Sequence, residues 1–203
     1  MGHPLILQAL SPGRRLFARL ASDEKVGTLF AQLFNCGGGP YTWPGLPDLD
    51  EILSDFAGTG PFASRADVDR AMADLLADLE EARAEHPGLE SRRAYLDKTQ
   101  WDIKERLAAE LRRRGRGDAD GLVEAMLFGA GRLTPPGVEG PMGDGLRVVP
   151  AADVQEAARV LGAVAPEALF DPSREDWLCA DYRAFRELYL AAAEWGEAVI
   201  VGD

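Results

Sequence analysis

Apolar positions change their spacing several times along the chain, and each change marks an element. Leu5 to Leu10 is an apolar run of strand length, which predicts a buried strand, and Ser11-Pro12-Gly13 ends it with turn residues. From Asp23 the residues Val26, Leu29, Phe30, Leu33 and Phe34 recur at helical spacing, with Ser22 placed to cap the start. Asn35 to Pro47 breaks every period with its glycines and prolines and reads as a loop, yet it carries Tyr41 and Trp43. A short helix is expected from about Asp48 to Phe56. The clearest helix runs from Ser64 to about Glu85, where Val68, Met72, Leu75, Leu76 and Leu79 form one stripe and Asp67, Asp74, Asp78 and Glu81 lie off it.

After His86-Pro87-Gly88 a second helical pattern starts near Leu89 or Glu90 and spaces Ile103, Leu107 and Leu111 four apart. Trp101 falls about 200° around such a helix from Ile103, so either the helix breaks near Asp97 or Trp101 meets a different surface. Gly121 to Phe128 is short and apolar, and Gly129 to Gly145 is too rich in glycine and proline for regular structure. Leu146 to Val149 reads as a strand, and Pro150 opens a helix with Val154, Ala157, Ala158 and Leu161 on one face. The last helix, about Asp181 to Trp195, presents Tyr182, Phe185, Leu188, Tyr189 and Ala192 inward, Gly196 ends it, and Ala198 to Val201 is a strand. Three short strands cannot each stand alone, so the two chain ends are expected to pair in one sheet. The expected fold is α+β, a single helix-rich domain over residues 1–203 with a small sheet that includes the N- and C-terminal strands.

Composition supports a packed core, since apolar residues make up 46% of the 203 and charged residues 28%. The first apolar run is far shorter than the ~20 residues of a membrane span, and Cys36 and Cys179 suggest neither a disulfide scaffold nor a zinc knuckle. A cytoplasmic protein is expected, with no membrane association. Net charge is −12, unevenly spread: Arg92 to Arg116 holds nine basic and four acidic groups in an otherwise acidic chain. General nucleic-acid binding is disfavoured, because its affinity comes mostly from neutralised phosphates. Arg112, Arg113, Arg114 and Arg116 read first as a helix end, with Gly115 or Gly117 in the left-handed cap, and second as a grip on an acidic partner.

From Tyr95 onward the order of local patterns resembles the YfbM-like family, bacterial proteins of unknown function. Leu96-Asp97-Lys98 followed by Trp101 resembles the family's Leu-Asp-Lys with a nearby Trp. Met126 to Gly131 is similar to its apolar segment ending in a glycine pair, and Leu146 to Val154 to its strand leading into a helix. Phe170-Asp171-Pro172 looks like its Phe-Asp-Pro, and Phe185 to Val199 like its final helix closing on Gly then Ala-Val. One extra residue separates Lys98 from Trp101, and Asp102 and Lys104 replace the histidines that often follow the family's Trp. The resemblance spans roughly residues 95–203 and implies a fold, with no established activity to carry over.

The motifs G-x-x-x-x-G-K-[ST], H-E-x-x-H and G-x-S-x-G do not occur, and His3 and His86 are the only histidines, too few for a multi-histidine metal site. No metal and no cofactor is expected. Gly140, Gly143 and Gly145 lack the strand in front that a dinucleotide site needs. Cys36 reads as a free thiol without a local activating base, and Glu80-Glu81 and Asp67-Asp69 as solvated charge. Asp97 and Lys98 are the candidate catalytic pair, an acid and an amine within reach of Trp101 in sequence. Tyr41, Trp43 and Trp101 are the candidate binding residues, since aromatics in a Gly/Pro loop mark contact surfaces. The favoured expectation is a non-enzymatic binding or regulatory protein acting on a protein partner through the Tyr41 to Trp43 loop or the basic stripe. The alternative is an enzyme with a cleft around Asp97, Lys98 and Trp101.

Overall fold

The computed structural model of the chain describes residues 4–34, 45–46, 48–85, 92–138 and 145–202. Strand β1 (Leu5–Leu10) is buried at every position. The cause is visible in its two faces: Leu5, Leu7 and Ala9 point into one apolar cluster, while Ile6 and Leu10 point into another. A strand covered on both sides reads as a continuous apolar run, which is the pattern its sequence shows.

Helices α1 (Arg15–Ser22), α2 (Glu24–Leu33), α3 (Leu49–Asp55) and α4 (Arg65–Glu85) follow, then β2 (Arg93–Leu96), α5 (Gln100–Arg113), α6 (Ala119–Phe128), β3 (Gly131–Arg132), β4 (Arg147–Val149), α7 (Ala151–Gly162), α8 (Asp176–Glu194) and β5 (Ala198–Gly202). The strands form one antiparallel sheet in the order β2-β1-β5-β4-β3. The first and last strands are its neighbours at the centre, with Leu10 opposite Ala198 and Ile6 opposite Gly202. One face packs on α1 to α4 through Leu20, Leu29, Phe30, Phe34, Val68 and Leu75. The other packs on α5 to α8 through Ile103, Leu107, Met126, Val154, Tyr182, Phe185 and Tyr189. The protein is thus a single α+β domain, helix-rich, with a small sheet between two helical layers. Among the described residues no helix is long and apolar enough to cross a membrane.

The structure corrects several local expectations. Asp23, not Ser22, caps α2: its carboxylate accepts from the Lys25 and Val26 amides at 3.0 and 3.1 Å, while the Ser22 hydroxyl turns back to the Ala18 carbonyl. Ser22 belongs to α1, a helix whose short amphipathic run the spacing does not reveal. Asp78 lies off the apolar stripe of α4 yet its side chain is fully buried, because Arg15 and Arg19 of α1 approach its carboxylate at 3.0 and 2.6 Å. Within the helical pattern expected from near Leu89 or Glu90, residues 93–96 instead form β2, where Ala94 and Leu96 face the core and Tyr95 faces outward. A four-residue edge strand is too short for its alternation to outweigh the helical spacing that follows it. The break near Asp97 is real, and α5 begins at Gln100. Gly121 to Phe128 is most of a helix, α6, and α8 begins five residues earlier than expected, extending its buried stripe to Leu178 and Cys179.

Candidate functional site

Helices α5 and α6 run antiparallel, as their side-chain pairs show. Trp101 stacks on Phe128, Lys104 pairs with Glu124, and Arg112 pairs with Asp120 at 2.8 Å. The buried stripe of α5, Ile103, Leu107 and Leu111, faces the sheet, which turns Trp101 and Lys104 away from it. Trp101 is 54% exposed, and its ring lies 5.1 Å from that of Phe128 at a 35° tilt. Lys104 Nζ stands 5.2 Å from the Trp101 centroid and 5.7 Å from that of Phe128, within the reach of a cation–π contact. Four groups from two helices therefore make a shelf of two rings, with an ammonium over them and a carboxylate behind it.

The shelf borders a cavity of about 200 Å³, lined by Leu5, Glu124, Phe128, Gly129, Arg147 and Val201 among others. It opens at one end of the sheet, where β1 begins, β5 ends and β4 begins. Leu5, Phe128 and Val201 give it apolar walls, while Glu124 and Arg147 set opposite charges across it. Arg147 Nη2 donates to the Gly129 carbonyl at 3.2 Å, and Gly129 meets this strand closely: a Cβ there would lie 2.6 Å from Arg147 Cβ. The left-handed φ of +78° at Gly129 lets the chain leave α6 and reach β3 without that clash.

Of the residues singled out from sequence, Trp101 is in this site. Asp97 and Lys98 form the turn between β2 and α5, are exposed, and do not line the cavity. Lys98 has φ +68°, and its amide donates to the Leu96 carbonyl at 2.9 Å. Among the described residues no side-chain hydrogen bond or ion pair joins either one to Trp101. Tyr41, Trp43, Cys36, His3 and His86 lie outside the described residues. Phe128, Lys104, Glu124 and Arg147 escaped the sequence reading. The only signal for them is the i, i+3 spacing of Trp101 and Lys104, which says nothing about the helix that supplies Phe128 and Glu124.

The basic stripe has a different role. Arg113 and Arg114 both bind Glu110 at 2.7 Å, and Arg116 binds Asp118 at 2.8 Å and Glu156 at 2.6 Å. Hydrogen bonds from Arg113 and Arg114 hold the Glu110 carboxyl at about 2, and Arg159 with Arg116 does the same for Glu156. Gly115 takes φ +86°, donates to the Arg112 carbonyl, and Arg116 donates back to Leu111, which closes the helix in a Schellman turn. The guanidiniums of Arg112, Arg113, Arg114 and Arg116 are thus each engaged by the protein's own acids. Cys179 is buried, which pushes its thiol up and makes it less reactive. Among the described residues no group of three His, Cys, Asp or Glu side chains could hold a metal ion.

Among the described residues the other exposed large aromatics are Tyr95, Trp177 and Trp195. Trp195 is partly covered by Arg92, whose guanidinium lies 4.7 Å from its ring centroid. No family model, curated protein or solved structure matches the chain.

Proposed function

We propose that the protein is a non-enzymatic binding protein that acts by contact with a protein partner, and that Trp101 and Phe128 are the centre of its contact surface. The observation that carries this reading is a tryptophan more than half exposed, stacked on a second ring beside a half-apolar cavity. Exposing an indole to water is unfavourable, and tryptophan is among the residues that most often dominate binding energy once a partner covers them. The cavity next to Phe128 offers a partner side chain a concave seat with apolar walls, so the shelf and cavity together form a surface with relief. Membership of the YfbM-like family is part of the same proposal and adds no activity to it.

A second reading draws on Lys98. A non-glycine residue with a left-handed backbone is uncommon, and such strain is found at functional sites. An enzyme using the Asp97 carboxylate and the Lys98 amine would work from the turn beside the shelf. The contact reading is preferred because Phe128, on which Trp101 stacks, lines the cavity, whereas neither of these two groups touches it.

The test compares two baits in extracts of the native cell, the natural protein and Trp101→Ala, with circular dichroism to verify that both are folded. A protein retained by the first and lost by the second is the expected result. Identical sets of captured proteins would overturn the assignment of Trp101 as the contact centre.

A further inference from the structure

Lys104 occupies the aromatic shelf. Its ammonium lies over Trp101 and Phe128 and is ion-paired with Glu124, an arrangement in which two ring faces and one carboxylate surround a single cation. Ring faces carry negative electrostatic potential, and this attraction strengthens when water is excluded. Lys104 reaches the site from one helical turn beyond Trp101 and leaves the indole half uncovered. The site is therefore filled by the protein's own cation but not closed over.

We infer that this shelf is a cation-recognition site, occupied by Lys104 in the free protein, and that a lysine or arginine on a basic segment of the partner displaces it. The inference rests on the contact reading above and adds the chemistry of the partner. Charge favours it: with Arg106 neutralised by Glu175, the turn before α5 and its first two turns expose Asp97, Asp102 and Glu105, and α6 adds Glu124, against Lys98, Lys104 and the Arg147 of the cavity wall. The chain as a whole carries −12, which attracts a basic segment from a distance. The cavity refines the fit. Arg147 on its far wall repels a second cation, while Leu5, Phe128 and Val201 suit an apolar side chain. The partner segment then presents a basic residue to the shelf and an apolar one beside it to the cavity. Displaced from the rings, Lys104 returns to solvent and Glu124 passes to the incoming cation.

The test uses the full chain labelled with ¹⁵N and follows the indole N–H of Trp101, assigned by its absence in Trp101→Phe. The probe is the peptide acetyl-Lys-Leu-Ala-Lys-Leu-Ala-amide, and the control has glutamine at both lysine positions. The lysine peptide is expected to shift the Trp101 signal, and the glutamine peptide to bind several-fold more weakly. Lys104→Ala, which vacates the shelf, should tighten lysine-peptide binding about two- to five-fold, the scale of one exposed cation–π contact. Glu124→Gln should weaken it. If the glutamine peptide shifts Trp101 equally well, or Lys104→Ala leaves affinity unchanged or lower, the cation inference fails while the contact surface stands. If neither peptide moves the Trp101 signal, the contact surface at Trp101 fails with it.

Discussion

Arg92 and Glu197 meet at the end of the sheet opposite the cavity, and their separation offers a direct measure of what holds that end. Arg92 leads into β2 and its carbonyl accepts from the Ala9 amide at 3.1 Å, while Glu197 leads into β5 from the capping turn of α8. The Glu197 side chain is fully buried, and one carboxylate oxygen accepts from Arg92 Nη1 at 2.6 Å. The other oxygen has no hydrogen-bond partner. The Arg92 side chain is 11% exposed. With charge centres about 4 Å apart and an effective dielectric of about 20, their attraction is roughly 4 kcal/mol. Desolvation offsets much of this, so the intact pair adds little net stability, but removing one partner strands the other charge and costs about 3–5 kcal/mol.

The cost should be asymmetric. Glu197→Leu leaves a guanidinium with a path to solvent, whereas Arg92→Met leaves a carboxylate with none, so Arg92→Met is expected to be the more damaging. The double variant, with apolar side chains at both positions, should recover most of the loss. Urea unfolding at pH 7 followed by circular dichroism measures all three. For a chain of this length the single variants should melt roughly 6–20 °C lower. If the double variant loses the full sum of the two singles, or if neither single costs more than about 1 kcal/mol, the pair does not hold the sheet end.

The Arg106 guanidinium, together with the Asp171 amide, holds the Glu175 carboxyl at about 2, below its ordinary value of 4.5. A depressed carboxyl stabilises the fold fully above its unfolded value and loses that contribution as pH falls through its folded value. The stability gap between the natural protein and Glu175→Gln should therefore be widest above pH 4.5 and close towards pH 2; a gap constant over that window would refute the assignment. Gly129→Ala combines a left-handed φ of +78° with a 2.6 Å approach to Arg147 and should cost more than about 2 kcal/mol in thermal unfolding. Gly121→Ala, in the open on α6, should instead stabilise by about 0.4–1 kcal/mol, and equal effects at the two glycines would show that the close approach is relieved at no cost.

The elements with long periods were legible in the sequence, and of the short ones α3 and β4 were legible while α1 and β2 were not. The stripes of α4, α7 and α8 and the apolar runs of β1 and β5 place these elements within a few residues, because each position repeats the same instruction about which side is dry. The pairing of β1 with β5 followed from the need of short strands for neighbours. Strand β2 did not declare itself, since four residues with Arg93 and Tyr95 on one side carry too little alternation. The burial of Asp78 was invisible for another reason: its counter-charges, Arg15 and Arg19, sit on a helix more than fifty residues away in sequence. The candidate site was half legible. Trp101 stood out because it falls off the stripe of its own helix, but Phe128 and Glu124 reach it only through the crossing of α5 and α6, which one helix's spacing cannot encode.

The two ends of the sheet are built differently, and the difference supports the proposed contact surface. Both faces of the sheet are covered by helices, which leaves its strand ends and its edge strands β2 and β3 to a partner. At one end the capping turn of α8, the Arg92–Glu197 pair and Trp195 under the Arg92 guanidinium close over the strands, joining β2, β1 and β5 by charges removed from water. At the other, the strands end beside a cavity instead of a buried ion pair, and the helix pair above it exposes an indole. Each partner of the indole also has a structural anchor: Phe128 is fixed at the end of α6, where the Tyr189 hydroxyl donates to the Met126 carbonyl at 2.6 Å, and Thr99, just before α5, donates to Asp181 of α8 at 2.6 Å. The helix ends that carry the rings are thus held by one partly buried and one buried hydrogen bond. A contact residue fixed in this way loses little freedom on binding, so more of the area it covers is available as affinity.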